Sequence, residues 1–188
     1  MKKYLLILLL SISSLTFAQV KSHFGAGFMI GYKGIVSDGG VIAEYKYSNR
    51  FDAYFGLSFT DFSGLGYVVG ADIFLTNYSW QPCLLLGFNR QFGGYSYTGD
   101  TTELKTDYLI KGYNSYVAAI GVRKILFEKK EALGFMSFTP YFCYRYTYPE
   151  SKVIFLDNYI NEAREERINS RISGGIGGGI KIVYFLHR

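Results

Sequence analysis

The sequence predicts an all-β protein, an eight-stranded antiparallel β-barrel that follows an N-terminal signal peptide. Three observations support this fold class. Large apolar residues alternate with small or polar ones in eight separate stretches, which is the period of a β-strand. The 188 residues include 18 Tyr, 16 Phe and 22 Gly but only 3 Pro, a composition that favours many strands. The beginning of the chain is basic, then apolar, then small, in the order of a secretory leader.

The leader has a recognisable cleavage site. Its apolar stretch, residues 4–15, is shorter than the roughly 20 residues that a membrane-spanning helix needs. Thr16 and Ala18 are the small residues expected before the cut. We therefore predict a signal peptide at residues 1–18 and a single domain, the barrel, at residues 19–188.

The net charge favours no particular class of partner. The formal charge of the whole chain is +5, and it falls to +3 when the two lysines of the leader are removed. Because this balance is small and no basic cluster dominates the sequence, we expect no nucleic-acid partner.

The first four strands follow from regular alternation. They are predicted at residues 23–32, 41–48, 51–59 and 67–75. In the first strand Phe24 and Phe28 share one face, and Gly25 and Gly27 share the other. A tight turn at residues 49–50 joins the second strand to the third. The polar faces of the third and fourth strands carry aspartate, serine and glycine.

The last four strands are predicted at residues 80–88, 115–125, 135–148 and 171–186. Pro82 lies near the start of the fifth strand, where proline is tolerated. Pro140 interrupts the seventh strand, and we expect a β-bulge there. In the eighth strand Ile176 and Ile180 lie on one face and glycines occupy most of the other. Connections are predicted to be short near residues 49, 77 and 130 and longer near residues 36, 63, 102 and 160.

Side-chain size decides which face of the strands points outward. One face of nearly every strand is large and apolar, and the other mixes glycine and serine with charged residues. If roughly two dozen large apolar side chains were exposed to water, each would forgo about 1.5–3 kcal/mol of burial free energy. Lipid accepts these side chains, and a narrow lumen accepts glycine. The sequence therefore predicts a transmembrane barrel whose apolar face points toward lipid.

Aromatic residues collect at both ends of the predicted strands. Those near the longer connections are Tyr32, Phe59, Tyr67, Phe88, Tyr116 and Tyr146. Those near the short turns are Tyr45, Tyr47, Trp80 and Tyr184. Two such belts, together with short turns at one end and longer loops at the other, are typical of membrane barrels.

On these features the chain resembles the small eight-stranded outer-membrane barrels, such as the membrane domain of OmpA and the OmpX type, over essentially all of residues 20–188. Gly179, Ile182 and Tyr184 are similar in spacing to the signal that the barrel-assembly machinery reads, although the chain ends on Leu-His-Arg and not on an aromatic residue. The leader, which ends in Phe-Ala-Gln, resembles those of Bacteroidota. The resemblance implies a Gram-negative bacterial outer-membrane location, contact with its lipid, and insertion by that machinery.

Seven charged residues lie on the predicted inner face of the barrel. They are Glu44, Lys46, Asp52, Asp72, Arg123, Arg145 and Lys181. Buried charges must be paired, and an eight-stranded interior is only just wide enough for side chains. We therefore predict a salt-bridge network that fills the lumen. Cys83 and Cys143 are expected to be free. Another strand lies between the two strands that carry them, and two strand spacings exceed the distance that a disulfide can bridge.

The residues favour no catalytic chemistry. A hydrolase or acyltransferase at the rim of a barrel normally needs a histidine as base. His23 and His187 are expected at the opposite end, where no loop constellation forms. We therefore predict that the protein is no enzyme and has no catalytic, cofactor-binding or metal-binding residues and no cofactor.

Three functions are compatible with such a barrel. The first is a structural or anchoring role that presents two long extracellular loops, residues 91–114 and 149–170, for adhesion or for binding an extracellular or envelope protein. Its contact candidates are Tyr95, Tyr97, Tyr108 and Tyr113, because tyrosine is favoured at interfaces. The second is a narrow gated pore or transport component. The third, a lipid-modifying barrel enzyme, is weakened by the absence of a histidine near the rim.

Overall fold

A computed structural model describes residues 23–60, 64–98, 106–126, 134–148, 153–155, 166, 169–170 and 172–186. The predicted signal peptide, residues 1–18, lies outside these residues, as does His187. Among the described residues, no helix is long and apolar enough to cross a membrane.

Nine strands are present in the described part of the chain. They are β1 (His23–Gly34), β2 (Ser37–Ser48), β3 (Phe51–Thr60), β4 (Gly64–Phe74), β5 (Trp80–Thr98), β6 (Thr106–Leu126), β7 (Gly134–Thr147), β8 (Val153–Phe155) and β9 (Gly175–Leu186). Eight of them close into a ring in which each strand pairs antiparallel with its neighbours, in the order β1, β2, β3, β4, β5, β6, β7, β9 and back to β1. The short β8 lies outside the ring and pairs with residues 108–110 of β6. The predicted eight-stranded antiparallel barrel is confirmed.

The two faces of the strands differ as the alternation predicts. In β3, Phe55 and Leu57 are exposed on the outside, whereas Tyr54 and Ser58 are buried inside. The same pattern runs around the ring, so that large apolar side chains cover the outer surface and glycines, polar groups and charges point inward. Gly70 shows why small residues are needed inside: a Cβ atom there would lie 2.3 Å from the ring of Tyr54, which lies over Gly70 and donates its hydroxyl to the carbonyl of Leu86 on β5.

The aromatic residues predicted at the strand ends lie on the outer surface. Near the end from which β5 and β6 extend, the rings of Tyr67, Phe88 and Tyr116 form a contact chain with centroid distances of 6.1 and 5.3 Å. At the other end, Trp80 is exposed and Lys124 Nζ lies 4.6 Å from the centre of its ring. We call the first end the hairpin end and the second the turn end.

Two of the connections predicted to be longer are short. Only two residues, Ile35 and Val36, separate β1 from β2, and only residues 61–63 separate β3 from β4. The prediction of longer loops near residues 36 and 63 is wrong, because strand pairing at the hairpin end continues further than the apolar alternation suggested. At the turn end, residues 49–50 form the predicted tight turn.

The segment predicted as a long loop at residues 91–114 is mostly strand. β5 and β6 remain paired from Trp80 opposite Lys124 as far as Thr98 opposite Thr106. The neighbouring strands stop earlier. β4 pairs with β5 no further than Gln91, and β7 pairs with β6 no further than Ser115. The sequence rule failed here because this part of the hairpin carries polar and glycine residues on both faces, without a buried face to impose alternation.

The last barrel strand and the seventh also differ in detail from the predictions. β9 begins at Gly175, and Ile172, predicted as its second residue, has helical backbone and is buried. The register between β7 and β9 is continuous through Pro140, so the bulge predicted there is wrong. Pairing with β6 is interrupted beside it instead, where proline has no N–H to donate.

Candidate functional site

A cluster of ion pairs crosses the half of the lumen near the turn end. We call Glu44, Asp52, Asp72, Arg123 and Lys181 the charged layer. Lys181 Nζ donates to Glu44 Oε2 at 2.7 Å and to Asp72 Oδ2. Arg123 pairs with Asp52 Oδ2 and lies 3.8 Å from Glu44 Oε1, so the five side chains form one chain of charges. All five are completely buried.

Aromatic and amide groups complete the surroundings of the charged layer. The guanidinium of Arg123 stacks 3.5 Å from the ring centre of Phe74, and its Nε donates to Gln81 at 2.8 Å. Lys181 Nζ lies 4.8 Å from the ring centre of Tyr54. Each cation is therefore held between carboxylates and an aromatic face, an arrangement that compensates part of its lost hydration.

The other two predicted network residues are Lys46, at the turn end, and Arg145. Lys46 faces Asp52 across β2 and β3, and its Nζ lies 5.6 Å from the ring centre of Phe135. Arg145 lies near the hairpin end, where its Nε donates to Ser115 Oγ at 3.1 Å and an Nη atom donates to the hydroxyl of Tyr113 at 3.4 Å. Among the described residues, no carboxylate forms an ion pair with Arg145.

The turn between β1 and β2 folds into the mouth of the barrel at the hairpin end. We call residues 34–37 the inward turn. Ile35 and Val36 at its tip have no exposed surface. The amide of Ile35 donates to the hydroxyl of Tyr141 at 3.4 Å, and its carbonyl accepts a hydrogen bond from Asn89 Nδ2 at 3.0 Å. The turn is thus held by both polar and apolar contacts with the opposite wall.

A polar group lines the wall beside the inward turn. Gln91 Nε2 donates to Ser58 Oγ at 2.7 Å and to Asn89 Oδ1 at 3.0 Å, and all three side chains are buried. Sequence reasoning missed both this group and the inward turn. Two signals were present in the sequence. Asn89 and Gln91 continue the alternation that places every second residue of β5 inside, and an Ile-Val pair is unusual at the tip of an exposed loop.

An apolar layer separates the charged layer from the inward turn. Its members are fully or almost fully buried and come from most of the barrel strands: Met29, Ile42, Val68, Cys83, Leu85, Val117, Ala119, Tyr141 and Cys143. The two cysteines are free and belong to this layer. Phe135, Val183 and Phe185 are buried on the other side of the charged layer, at the turn end, so apolar side chains fill the lumen on both sides of it.

The hairpin formed by β5 and β6 beyond the ring is the other prominent feature. We call residues 92–98 and 106–112 the projecting hairpin. Seven residues of strand correspond to about 23 Å of length along the strand at roughly 3.3 Å per residue. Tyr95, Tyr97 and Tyr108 lie in its strands, but their side chains are outside the described part. Tyr113 is not available as a surface contact, because its side chain is buried next to Arg145.

The remaining candidates for chemistry are few among the described residues. His23 lies at the start of β1 at the turn end, where its Nδ1 is 3.3 Å from the carbonyl oxygen of Leu186 and its ring stands edge-on to Phe135. In the part of the chain that the structure describes, no group of three or more His, Cys, Asp or Glu side chains is arranged to hold a metal ion.

Comparison with known proteins adds no relative. The chain matches no protein-family model, no curated protein and no solved structure. Functional inference for this barrel therefore depends on its own geometry.

Proposed function

We propose that this chain is an exported β-barrel of a bacterial outer membrane that anchors extracellular segments for adhesion or for binding a partner protein. In this proposal residues 1–18 are the signal peptide, the ring of eight strands spans the bilayer, and the projecting hairpin and residues 149–170 are presented outside the cell. The observation that carries the proposal is the apolar outer surface of a closed barrel that buries the charged layer inside it.

The size of the exposed apolar surface supports a lipid environment. Large hydrophobic side chains are exposed on every strand of the ring, among them Phe142 and Ile176 at 75% and 80% of their surface. About thirty half-exposed side chains at about 1 kcal/mol each would forgo roughly 30 kcal/mol in water. A contiguous apolar surface of this extent is rare on water-soluble monomers and marks contact with another apolar phase. In a bilayer the same side chains face hydrocarbon, and this cost disappears.

The filled lumen favours an anchoring role over transport. The charged layer, the apolar layer and the inward turn are stacked along the axis with their side chains buried. An ion crossing the barrel would have to displace ion pairs that have no access to water. The projecting hairpin, by contrast, extends beyond the ring and pairs there only with itself and with β8 among the described strands. It is the element best placed to meet a partner.

The proposal is tested by refolding residues 19–188 with phospholipid vesicles and with detergent micelles. We expect the protein to float with the vesicles, and the unboiled sample to migrate faster on a gel than the boiled one, because a closed barrel stays compact until heated. A chain that remains soluble without detergent and fails to float would overturn the proposal and favour a soluble barrel with a different partner for its apolar surface.

Conductance separates anchoring from transport. A planar bilayer containing the refolded protein is expected to stay electrically silent, because the lumen is packed. Discrete current steps would show that the layers rearrange and would replace the anchoring role by the gated pore.

Vesicle-bound protein should also lose the projecting hairpin to added protease while the barrel strands remain protected.

A further inference from the structure

A groove on the outer surface of the barrel lies on β4 to β7. It has a volume of about 580 Å³ and is almost wholly apolar. Strand register explains its shape. One cross-strand row contains Ala71, Leu86, Ala118 and Tyr144, and the next row toward the hairpin end contains Val69, Phe88, Tyr116 and Tyr146. The two alanines leave low positions on either side of Leu86, and the aromatic side chains of the next row border them.

A cation lies above this groove on the same outer face. Arg90 follows Phe88 by two residues and pairs in register with Tyr67 and Asn114. Side chains two residues apart on a strand lie on one face, about 7 Å from each other. The guanidinium donates to Asn114 Oδ1 at 2.9 Å, and among the described residues no carboxylate forms an ion pair with it. Its remaining donors can therefore bind an anion.

We propose that this groove binds one molecule of an anionic lipid, with a phosphate group on Arg90 and Asn114 and acyl chains on either side of Leu86, over Ala71 and Ala118. The inference rests on the proposed membrane location and goes beyond it, since it assigns a specific lipid site to one side of the barrel. Three features follow one another along the surface in the order of the parts of a lipid: a cation with an amide donor, then an aromatic row, then an apolar recess. Guanidinium and phosphate form strong paired hydrogen bonds.

The charge above the groove is what favours a lipid over a protein occupant. A second copy of this chain would bring another apolar barrel surface and a second Arg90, so that like charges would meet at the edge of the contact. An anionic lipid brings a negative charge to the end where Arg90 lies and acyl chains to the positions of the two alanines. The surface therefore complements the two parts of the lipid separately.

Native mass spectrometry of the refolded chain tests the site. The protein is refolded with an equimolar mixture of phosphatidylglycerol and phosphatidylcholine, and the lipid that stays bound is identified. We expect one phosphatidylglycerol per wild-type chain. Arg90→Gln should lower its retention about tenfold, the effect of losing a charge-assisted hydrogen bond. Ala118→Leu should lower it by a similar factor for both lipids, because it fills the recess.

Two control variants change matched positions elsewhere on the outer surface. Lys124→Gln removes an outward cation beside Trp80 at the turn end, and Ala26→Leu enlarges an exposed alanine on β1. Both should retain phosphatidylglycerol like the wild type. The lipid site would be overturned if Arg90→Gln retained as much phosphatidylglycerol as the wild type. It would also be overturned if Lys124→Gln lost as much phosphatidylglycerol as Arg90→Gln. Cross-linked dimers of the wild type that Ala118→Leu abolishes would overturn it too, because the occupant would then be a second copy.

The same samples separate this proposal from the membrane proposal. Every variant is first tested for the mobility shift on boiling and for flotation with vesicles. A wild-type chain that folds and floats but holds neither lipid preferentially overturns the lipid site and leaves the membrane proposal intact. A chain that never associates with vesicles overturns both.

Discussion

The lumen of this barrel is closed at two levels by different means. The charged layer near the turn end depends on Lys181 and Arg123, which hold three carboxylates between them. The inward turn at the hairpin end depends on Ile35 and Val36, which pack as apolar groups, with neutral hydrogen bonds from Asn89 and to Tyr141. Both levels are fully buried, but only the first contains charged side chains.

The difference teaches how each level should respond to the loss of one side chain. In the charged layer, one oxygen of each of Glu44, Asp52 and Asp72 already has no hydrogen-bond partner among the described residues. Removing a cation there leaves buried negative charge with little compensation, and the cost is large. In the inward turn the partners are neutral, so the cost of a deletion is that of a cavity or a single hydrogen bond.

The largest effect is expected for Lys181→Met. This change removes both ion pairs of Lys181 and leaves Glu44 and Asp72 buried without their main counter-charge. We expect a loss of about 3–5 kcal/mol in the free energy of unfolding. Urea unfolding in micelles, followed by the fluorescence of Trp80, the single tryptophan, measures it. The exposed Lys111→Met is the control, and an unchanged midpoint for Lys181→Met would mean that the charged layer contributes little to stability.

Ile35→Ala should have the next largest effect. The side chain is fully buried against the wall of the barrel, and a Cβ atom added at Gly87 would lie 2.8 Å from it. Truncation leaves a cavity that costs about 2–4 kcal/mol. The same urea titration measures the loss, with the exposed Ile30→Ala as the matched variant. A smaller loss for Ile35→Ala than for Ile30→Ala would show that the turn does not stay inside the mouth.

Arg145→Met sharpens the comparison, because Arg145 is a buried charge outside the charged layer. It donates to Ser115 and Tyr113, and Ser115 Oγ keeps a second partner in Thr147 at 3.2 Å. Because no carboxylate among the described residues pairs with Arg145, we expect a loss of only about 1–2 kcal/mol in the free energy of unfolding. A loss as large as that of Lys181→Met would reveal an acidic partner for Arg145 outside the described residues.

The smallest effect is expected for Asn89→Ala. It removes the hydrogen bond to the carbonyl of Ile35 and the acceptor of Gln91, although Gln91 retains Ser58. We expect a loss of about 1 kcal/mol. If Asn89→Ala and Ile35→Ala are combined, their effects should be less than additive, since both act on one contact. Strict additivity would show that Asn89 does not hold the turn.

Much of the barrel could be predicted from local pattern. The alternation of Phe24, Gly25, Ala26 and Gly27 defines a strand and its two faces before any partner is known. The inward parity of Glu44, Asp72 and Lys181 likewise followed from counting residues. What could not be predicted was how far β5 and β6 continue, because polar residues on both faces carry no periodic signal. Counting residues also places Arg145 near the hairpin end of its strand, but its hydrogen bonds to Ser115 and Tyr113 depend on the packing of the folded barrel.

The sequence by itself determined the number of strands in the ring, the face that each residue occupies and the placing of charge inside. These depend on the period of two along a single strand, which is a local property. The tertiary structure alone decided that Lys181 reaches both Glu44 and Asp72, that the inward turn caps the mouth, and that Arg90 stands above an apolar groove. These depend on which residues of different strands come to the same height when the sheet closes, and closure is set by register between strands distant in sequence.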